Sequence, residues 1–177
     1  RTYTDQVNDV LEFFKSHPKH IPKFSHILVD EYQDVNSSQV ELLSLLNPEN
    51  LFCVGDPRQS IFGWRGSSVD FILNLAKEDA VEVINLYKNY RSNSHIVNLM
   101  NNAISKMGMK NLEHNYESEK EMKLCQFGAE EVEYDFVGNK VLSSSTPRNN
   151  IFVLARTNKQ LNEISQSFKK KKIAHIL

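Results

Sequence analysis

An apolar run that ends on a carboxylate pair constrains this chain more than any other feature: Ile27-Leu28-Val29 leads directly into Asp30-Glu31-Tyr32-Gln33-Asp34. A short apolar run bounded by charge reads as a buried strand. Next, Asn36-Ser37-Ser38-Gln39 supplies a helix N-cap with its capping-box partner, and Val40, Leu43 and Leu46 form an apolar face until Asn47-Pro48 stops the helix. Leu51-Phe52-Cys53-Val54 then makes a second strand that breaks into Gly55-Asp56. Strand, helix and strand in that order require a parallel pair with a right-handed crossover, which puts Asp30 and Asp56 on the same edge of the sheet. In open α/β sheets, ligands bind outside the carboxyl ends of the strands, so that edge is the place to look for chemistry.

The residue types at the edge suit nucleotide chemistry. An Asp at a strand end can hold Mg²⁺ with its waters, and a neighbouring Glu can orient and deprotonate the water that attacks a γ-phosphate. The same Asp-Glu pair also suits a plain turn or helix cap. The second strand opens into Gly55-Asp56-Pro57-Arg58-Gln59-Ser60-Ile61-Phe62-Gly63-Trp64-Arg65-Gly66, a loop dense in glycine, charge and aromatic rings. A third apolar run, Glu82 to Leu86, leads to Tyr87-Lys88-Asn89-Tyr90-Arg91-Ser92, with a ring and an arginine at its tip.

With these blocks in order, the chain resembles the UvrD/Rep/PcrA-like superfamily 1 DNA helicases, a family that includes the helicase parts of RecB-like and AddA-like enzymes. Asp30 to Asp34 resembles the Walker B motif II, Val54 to Gly66 motif III, and Leu86 to Ser92 motif IV. By that resemblance Asp30 coordinates Mg²⁺, Glu31 is the general base, and Gln59 senses the γ-phosphate of ATP. Trp64 resembles the ring on which a DNA base stacks, Phe62 stands where a Tyr is common, and Arg65 is similar to the arginine that ties the DNA loop to the ATP site. Tyr90 lies against adenine and Arg91 reaches the γ-phosphate from a second domain. A guanidinium offers paired donors to phosphate, and a flat ring stacks on any base, so the residue types suit these roles. The Phe62 substitution removes a hydroxyl and keeps the stacking surface.

The fold implied is α/β: two partial RecA-like lobes of the P-loop NTPase type with parallel sheets. Residues 1–79 correspond to the later part of a first motor domain and 80–177 to the early part of a second. The implied activity is ATP-dependent translocation on single-stranded DNA and unwinding of duplex, with 3′ to 5′ travel following from the family alone. The family pattern also includes a phosphate loop of the form G-x-x-x-x-G-K-[ST], and none of Gly55, Gly63, Gly66, Gly108, Gly128 or Gly138 begins one. The family's motifs V and VI are absent as well. We therefore expect an internal fragment of a longer helicase that is inactive alone, with a degenerate relative as the other reading. Other classes stay open. One is a catalytically dead module that binds DNA or a protein partner through Phe62 to Arg65, and another is a metal-dependent phosphohydrolase built on Asp30, Glu31 and Asp34.

Composition enters where it limits partners. A net charge of −1 excludes an overall basic coat for nucleic acid, so DNA contact has to be local and partly aromatic. Cys53 and Cys125 fall in expected strands, where a free thiol acts as a small apolar residue, which implies a reducing cytoplasmic setting. No membrane-length apolar run occurs. The six histidines are scattered without the spacing of zinc ligands.

Further along, Val7, Val10, Leu11 and Phe14 share one helical face before Pro18 and Pro22. Ile96 to Met107 make another stripe, closed by Gly108, and 109–121 read as a polar connection. Strands at Lys123 to Phe127, Ile151 to Ala155 and Ile173 to Leu177 alternate with helices at Ala129 to Leu142 and Lys159 to Lys172. Lys169 to Lys172 suit the carboxyl end of a helix, where positive charge complements the backbone dipole.

Overall fold

A computed structural model describes residues 2–118 and 122–177. The chain divides into two compact units, Arg1–Ser118 and Glu119–Leu177.

The first unit opens with helix α1 (Tyr3–Ser16), started by a reciprocal cap in which Thr2 and Asp5 each accept the other's backbone N–H. The hydrogen bonds from Thr2 hold the Asp5 carboxyl below its ordinary range. Strand β1 (His26–Val29) follows, then helix α2 (Ser37–Leu46) and strand β2 (Asn50–Cys53). The expected capping box is present: Asn36 Oδ1 accepts from Gln39 N at 3.0 Å, and Gln39 Oε1 accepts from Asn36 N at 2.9 Å. Asn47 ends α2 in the left-handed region, φ 40°, where Asn is among the residues that tolerate it. The two strands pair in parallel, Ile27 against Leu51 and Val29 against Cys53, so their carboxyl ends share one edge. Helix α1 lies along α2, joined by Lys15 to Glu41 at 2.7 Å and by Ser38 Oγ donating to Asn8 Oδ1 at 3.0 Å.

Helix α3 (Asp70–Leu75) packs on the turn that follows β1. The short strand β3 (Lys88–Asn89), helix α4 (Ser94–Ala103) and strand β4 (Glu113–His114) complete the unit, with β3 and β4 parallel. The sequence reading placed 109–121 in a polar connection, but Glu113–His114 forms a ladder. The cause is the buried Asn101 on α4, whose amide exchanges two 2.9 Å hydrogen bonds with the backbone of Leu112 and so fixes the segment just before it pairs. Residues 119–121 of that stretch lie outside the described residues. Gly108 closes the stripe at φ 66°, after α4 has tightened into a 3₁₀ turn at Ser105–Met107.

The second unit packs helix α5 (Glu130–Ser143) against helix α6 (Asn158–Lys170) around Val141, Ile164, Phe168 and Ile173, with Ile151 and Val153 on the same cluster. Thr157 and Gln160 cap α6 reciprocally. The hydroxyl of Tyr134 donates to Glu163 at 2.7 Å, and that bond together with its acidic neighbours pushes the phenol upward. Lys171, one of the four consecutive lysines, folds back onto Asp135 and Asn139 and lies where a side chain at Gly138 would stand.

Several expected strands are not formed. Residues 82–86, 123–127, 151–155 and 173–177 are irregular segments with no ladder among the described residues. A strand needs a hydrogen-bonded neighbour as well as an apolar pattern, and these segments show the pattern alone. Ile151 and Val153 turn inward while Phe152 and Leu154 stand outward, the latter 88% exposed. Cys125 is accordingly exposed rather than buried. The fold class remains α/β with parallel strands in small sheets, a partial RecA-like arrangement.

Candidate nucleotide and DNA site

The edge formed by β1 and β2 is built around one buried side chain. Tyr32 N donates to Val54 O at 2.8 Å, continuing the pairing beyond the strands, and the chain then tightens into a 3₁₀ turn over Tyr32–Asp34. Glu31 takes the left-handed conformation at φ 51°. A non-glycine residue there is sparsely populated and carries strain. Here it is held in place by Asp30, whose Oδ1 accepts from Glu31 N at 2.9 Å. Both Asp30 and Glu31 are exposed, so their carboxylates stand at the mouth of the edge.

Gln33 is buried beneath them, 1% exposed. Its Nε2 donates to Glu31 Oε2 at 2.8 Å, and its Oε1 accepts from Asp56 N at 3.0 Å. The orientation of the amide follows from its partners, since a carboxylate requires a donor and a backbone N–H requires an acceptor. Ser60 Oγ donates to the Gln33 carbonyl at 3.2 Å. Asp56 in turn accepts from Arg58 N at 3.0 Å and from Gln59 Nε2 at 3.1 Å. The acidic turn after β1 and the polar loop after β2 are thus one hydrogen-bonded unit containing Asp30, Glu31 and Gln59. Gly55 permits the approach: a Cβ there would stand 2.7 Å from Gln33 Oε1. Beneath the edge, burial pushes the Tyr32 hydroxyl and the Cys53 thiol upward.

The aromatic part of the loop projects outward. Phe62 and Trp64 meet edge to face at 6.4 Å, and the Arg65 guanidinium lies 4.8 Å from the Phe62 ring and 4.5 Å from that of Trp64. Trp64 is 75% exposed, so it is no core residue. Gly66 at φ 80° and the antiparallel bridge from Ser67 to Asn36 anchor the loop.

Tyr90 and Arg91 follow β3 in the other small sheet, both exposed. Asn89 Oδ1 accepts from Arg91 N and Ser92 N, and Tyr116 donates its hydroxyl to the Arg91 carbonyl at 3.2 Å, so the backbone is fixed while the guanidinium stays at the surface. No hydrogen bond or ion pair among the described residues joins Tyr90 or Arg91 to Asp30, Glu31 or Gln59. A link between the blocks does exist: Arg58 Nη2 donates to Lys110 O at 2.9 Å.

Sequence reasoning missed Gln33, Ser60 and Arg58 as structural members of the site. Only Gly55, a residue that permits close backbone approach, hinted at the contact that Gln33 makes. The phosphohydrolase reading meets a geometric obstacle. Asp34 does not join Asp30 and Glu31 in a group of ligating side chains, and the described residues hold no such group of three or more.

Comparison with known proteins decides the family. The UvrD/REP helicase N-terminal domain matches residues 3–80, and the UvrD-like helicase C-terminal domain matches residues 84–177. The chain belongs to the UvrD-like helicase family. Among similar proteins, a "Probable DNA helicase II homolog" of Mycoplasma capricolum is 33% identical over 162 residues, covering 85% of this chain and 22% of that protein. "ATP-dependent DNA helicase PcrA" of Staphylococcus epidermidis is 30% identical over 190 residues, and that of Staphylococcus aureus 31% over 182, each covering 98% of this chain and 24% of the relative. The chain therefore spans about a quarter of the length of these UvrD-like relatives. No helix among its described residues is long and apolar enough to cross a membrane.

Proposed function

We propose that this chain is the central stretch of an ATP-driven DNA helicase, carrying the water-activating part of the ATPase site and the aromatic loop that grips single-stranded DNA during duplex unwinding. The observation that supports this reading most is the hydrogen-bonded unit from Glu31 through Gln33 and Asp56 to Gln59, which holds a base and a phosphate sensor on one edge. Residues 1–79 then belong to the first motor domain and 80–177 to the second. The alignment over a quarter of the relatives' length supports the fragment reading. So do the outward apolar residues of 82–86 and 151–155, which suit sheet faces that a longer chain would cover.

In that motor the residues divide the work. Asp30 and Glu31 offer hard oxygen donors of the kind Mg²⁺ accepts when phosphates complete its shell, and Asp30 would hold it. Bound there, the ion would offset negative charge on the phosphates of ATP. Glu31 takes a proton from the attacking water as its oxygen bonds to the γ-phosphorus and the bond to the ADP oxygen breaks. Gln59 contacts the γ-phosphate from the first domain, and Arg91 supplies a guanidinium from the second, once closure brings them to it. Tyr90 stacks on adenine. Trp64, backed by Phe62 and Arg65, stacks on a base, so closure around ATP advances single-stranded DNA. The phosphate-loop donors lie outside this chain, as does the cradle for the triphosphate. Such a motor works on DNA in the cytoplasm.

The test is single-strand-stimulated ATPase and strand separation by the complete motor with Glu31→Gln. Turnover should fall about 10²-fold or more, with ATP and DNA binding retained. Near-normal kcat would remove Glu31 from its role.

A further inference from the structure

The acidic turn and the polar loop are joined by a residue to which family resemblance gives no role. Gln33 is almost wholly buried, yet it spends both ends of its amide on the site: Nε2 on Glu31 Oε2 at 2.8 Å and Oε1 on Asp56 N at 3.0 Å. A buried amide is costly unless satisfied, and here its partners are functional groups rather than the core. Its main-chain carbonyl is used too, by Ser60 Oγ at 3.2 Å. Meanwhile Asp56 holds Gln59 Nε2 at 3.1 Å. The chain of contacts from the base to the phosphate sensor therefore passes through Gln33 and then Asp56, and Gln33 is the side chain that reaches the base.

We propose that Gln33 is a positioning residue that locks the Glu31 carboxylate to the Asp56 backbone, so that the water-activating base and the Gln59 sensor keep one fixed relation. This rests on the reading of Glu31 as general base. The lock has two consequences. Glu31 Oε2 accepts from the Gln33 amide, so the orientation in which the carboxylate meets water is fixed by Gln33. Any shift of the loop after β2, whether from nucleotide at Gln59 or from DNA at Trp64, pulls on Asp56 N and through Gln33 on the base. Gln33 touches neither water nor phosphate, and acts through Glu31.

The experiment uses the complete motor with single-stranded DNA at saturation. Gln33→Met keeps the length of the side chain and removes every polar contact of the amide, the long 3.5 Å one to Asp34 Oδ2 included, and Gln33→Glu keeps the shape and an acceptor for Asp56 N but places a carboxylate against Glu31. Each should lower kcat about tenfold to a hundredfold with KM for ATP within about threefold of wild type, the split expected when an interaction made in the transition state is lost. In a Glu31→Gln background the same changes should cost no further turnover, because the base they position is gone. Gln33→Asn, too short to span both partners, should show the same loss of kcat. A purely structural Gln33 predicts a lower thermal midpoint with wild-type kcat per folded molecule. That result, or full additivity with Glu31→Gln, overturns the proposal. If Gln33→Met does not fold, the isosteric Gln33→Glu decides by the same readings. Normal turnover in Glu31→Gln alone would instead remove the reading of Glu31, and the outcomes are distinguishable.

Discussion

Gly55→Ala tests the physical join between the two halves of the edge. A Cβ at position 55 would stand 2.7 Å from Gln33 Oε1, 2.8 Å from Ile72 Cδ1 and 3.1 Å from Tyr32 N. The Ile72 methyl can rotate away. The Tyr32 N–H cannot, because it is bonded to Val54 O at 2.8 Å. The Gln33 amide is held at both ends, so relief there breaks a contact with either Glu31 or Asp56. Overpacking of this kind costs about 1–3 kcal/mol, and a central value of about 2 kcal/mol lowers the folded-to-unfolded ratio roughly thirtyfold. For a chain of this size the thermal midpoint should drop by about 4–8 °C. Circular dichroism melting of the 177-residue chain reads it. Gly63→Ala is the control, since nothing lies within 4 Å of a Cβ there; it should change stability by less than about 0.5 kcal/mol. Adding Gln33→Ala to Gly55→Ala should remove part of the penalty, because the strict clash partner is gone. An unchanged midpoint for Gly55→Ala, or simple additivity with Gln33→Ala, would refute the claim that Gln33 is locked against Gly55.

The remaining expectations are more direct. In the complete motor, Trp64→Ala should lose about 1–3 kcal/mol of single-strand affinity in filter binding while keeping much of its ATPase at saturating DNA; wild-type affinity would return Trp64 to a structural role. Arg91→Ala should bind DNA normally but turn over ATP about 10³-fold more slowly, by analogy with arginine fingers, and normal turnover would dismiss the phosphate contact. The isolated chain, lacking a phosphate loop, should show no micromolar Mg-ATP affinity in calorimetry. Cys53 is partly buried with its thiol pushed upward by burial, so it carries less thiolate at pH 8 than a free thiol, while Cys125 is exposed. Iodoacetamide should therefore label Cys125 first, as read by mass spectrometry, and labelling of Cys53 first would contradict the packing around β2.

What the sequence made legible was what local chemistry determines. The Asn36–Gln39 capping box and the left-handed stop at Asn47 are set by residues within a few positions of one another, and they appear as expected. The parallel pairing of β1 with β2 followed from the crossover rule. The irregular segments at 82–86 and 151–155 show the opposite case. Their apolar runs are plain in the sequence, but a ladder depends on a neighbour that pattern alone cannot supply. β4 was missed for a related reason, because the determinant of Glu113–His114 is an asparagine on another helix.

The candidate site divides along the same line. Asp30, Glu31, Gln59 and Trp64 were proposed through the family resemblance of their motifs, since a carboxylate pair at a strand end by itself suits a turn or a cap equally well. Gln33 could not, since a glutamine beside charged residues ordinarily faces solvent. Its burial is decided by the loop after β2, 23 residues further on, where the Asp56 N–H demands an acceptor and Gly55 leaves room for one. Long-range demand of that kind converts a surface residue type into an internal strut. The strut explains why Glu31 can persist in a left-handed conformation: Asp30 Oδ1 holds its N–H and Gln33 Nε2 its carboxylate, so both ends of the residue are fixed by neighbours rather than by its own preference. A carboxylate held that way cannot rotate freely to meet water, and its reach is set by the loop that also carries Gln59 and Trp64.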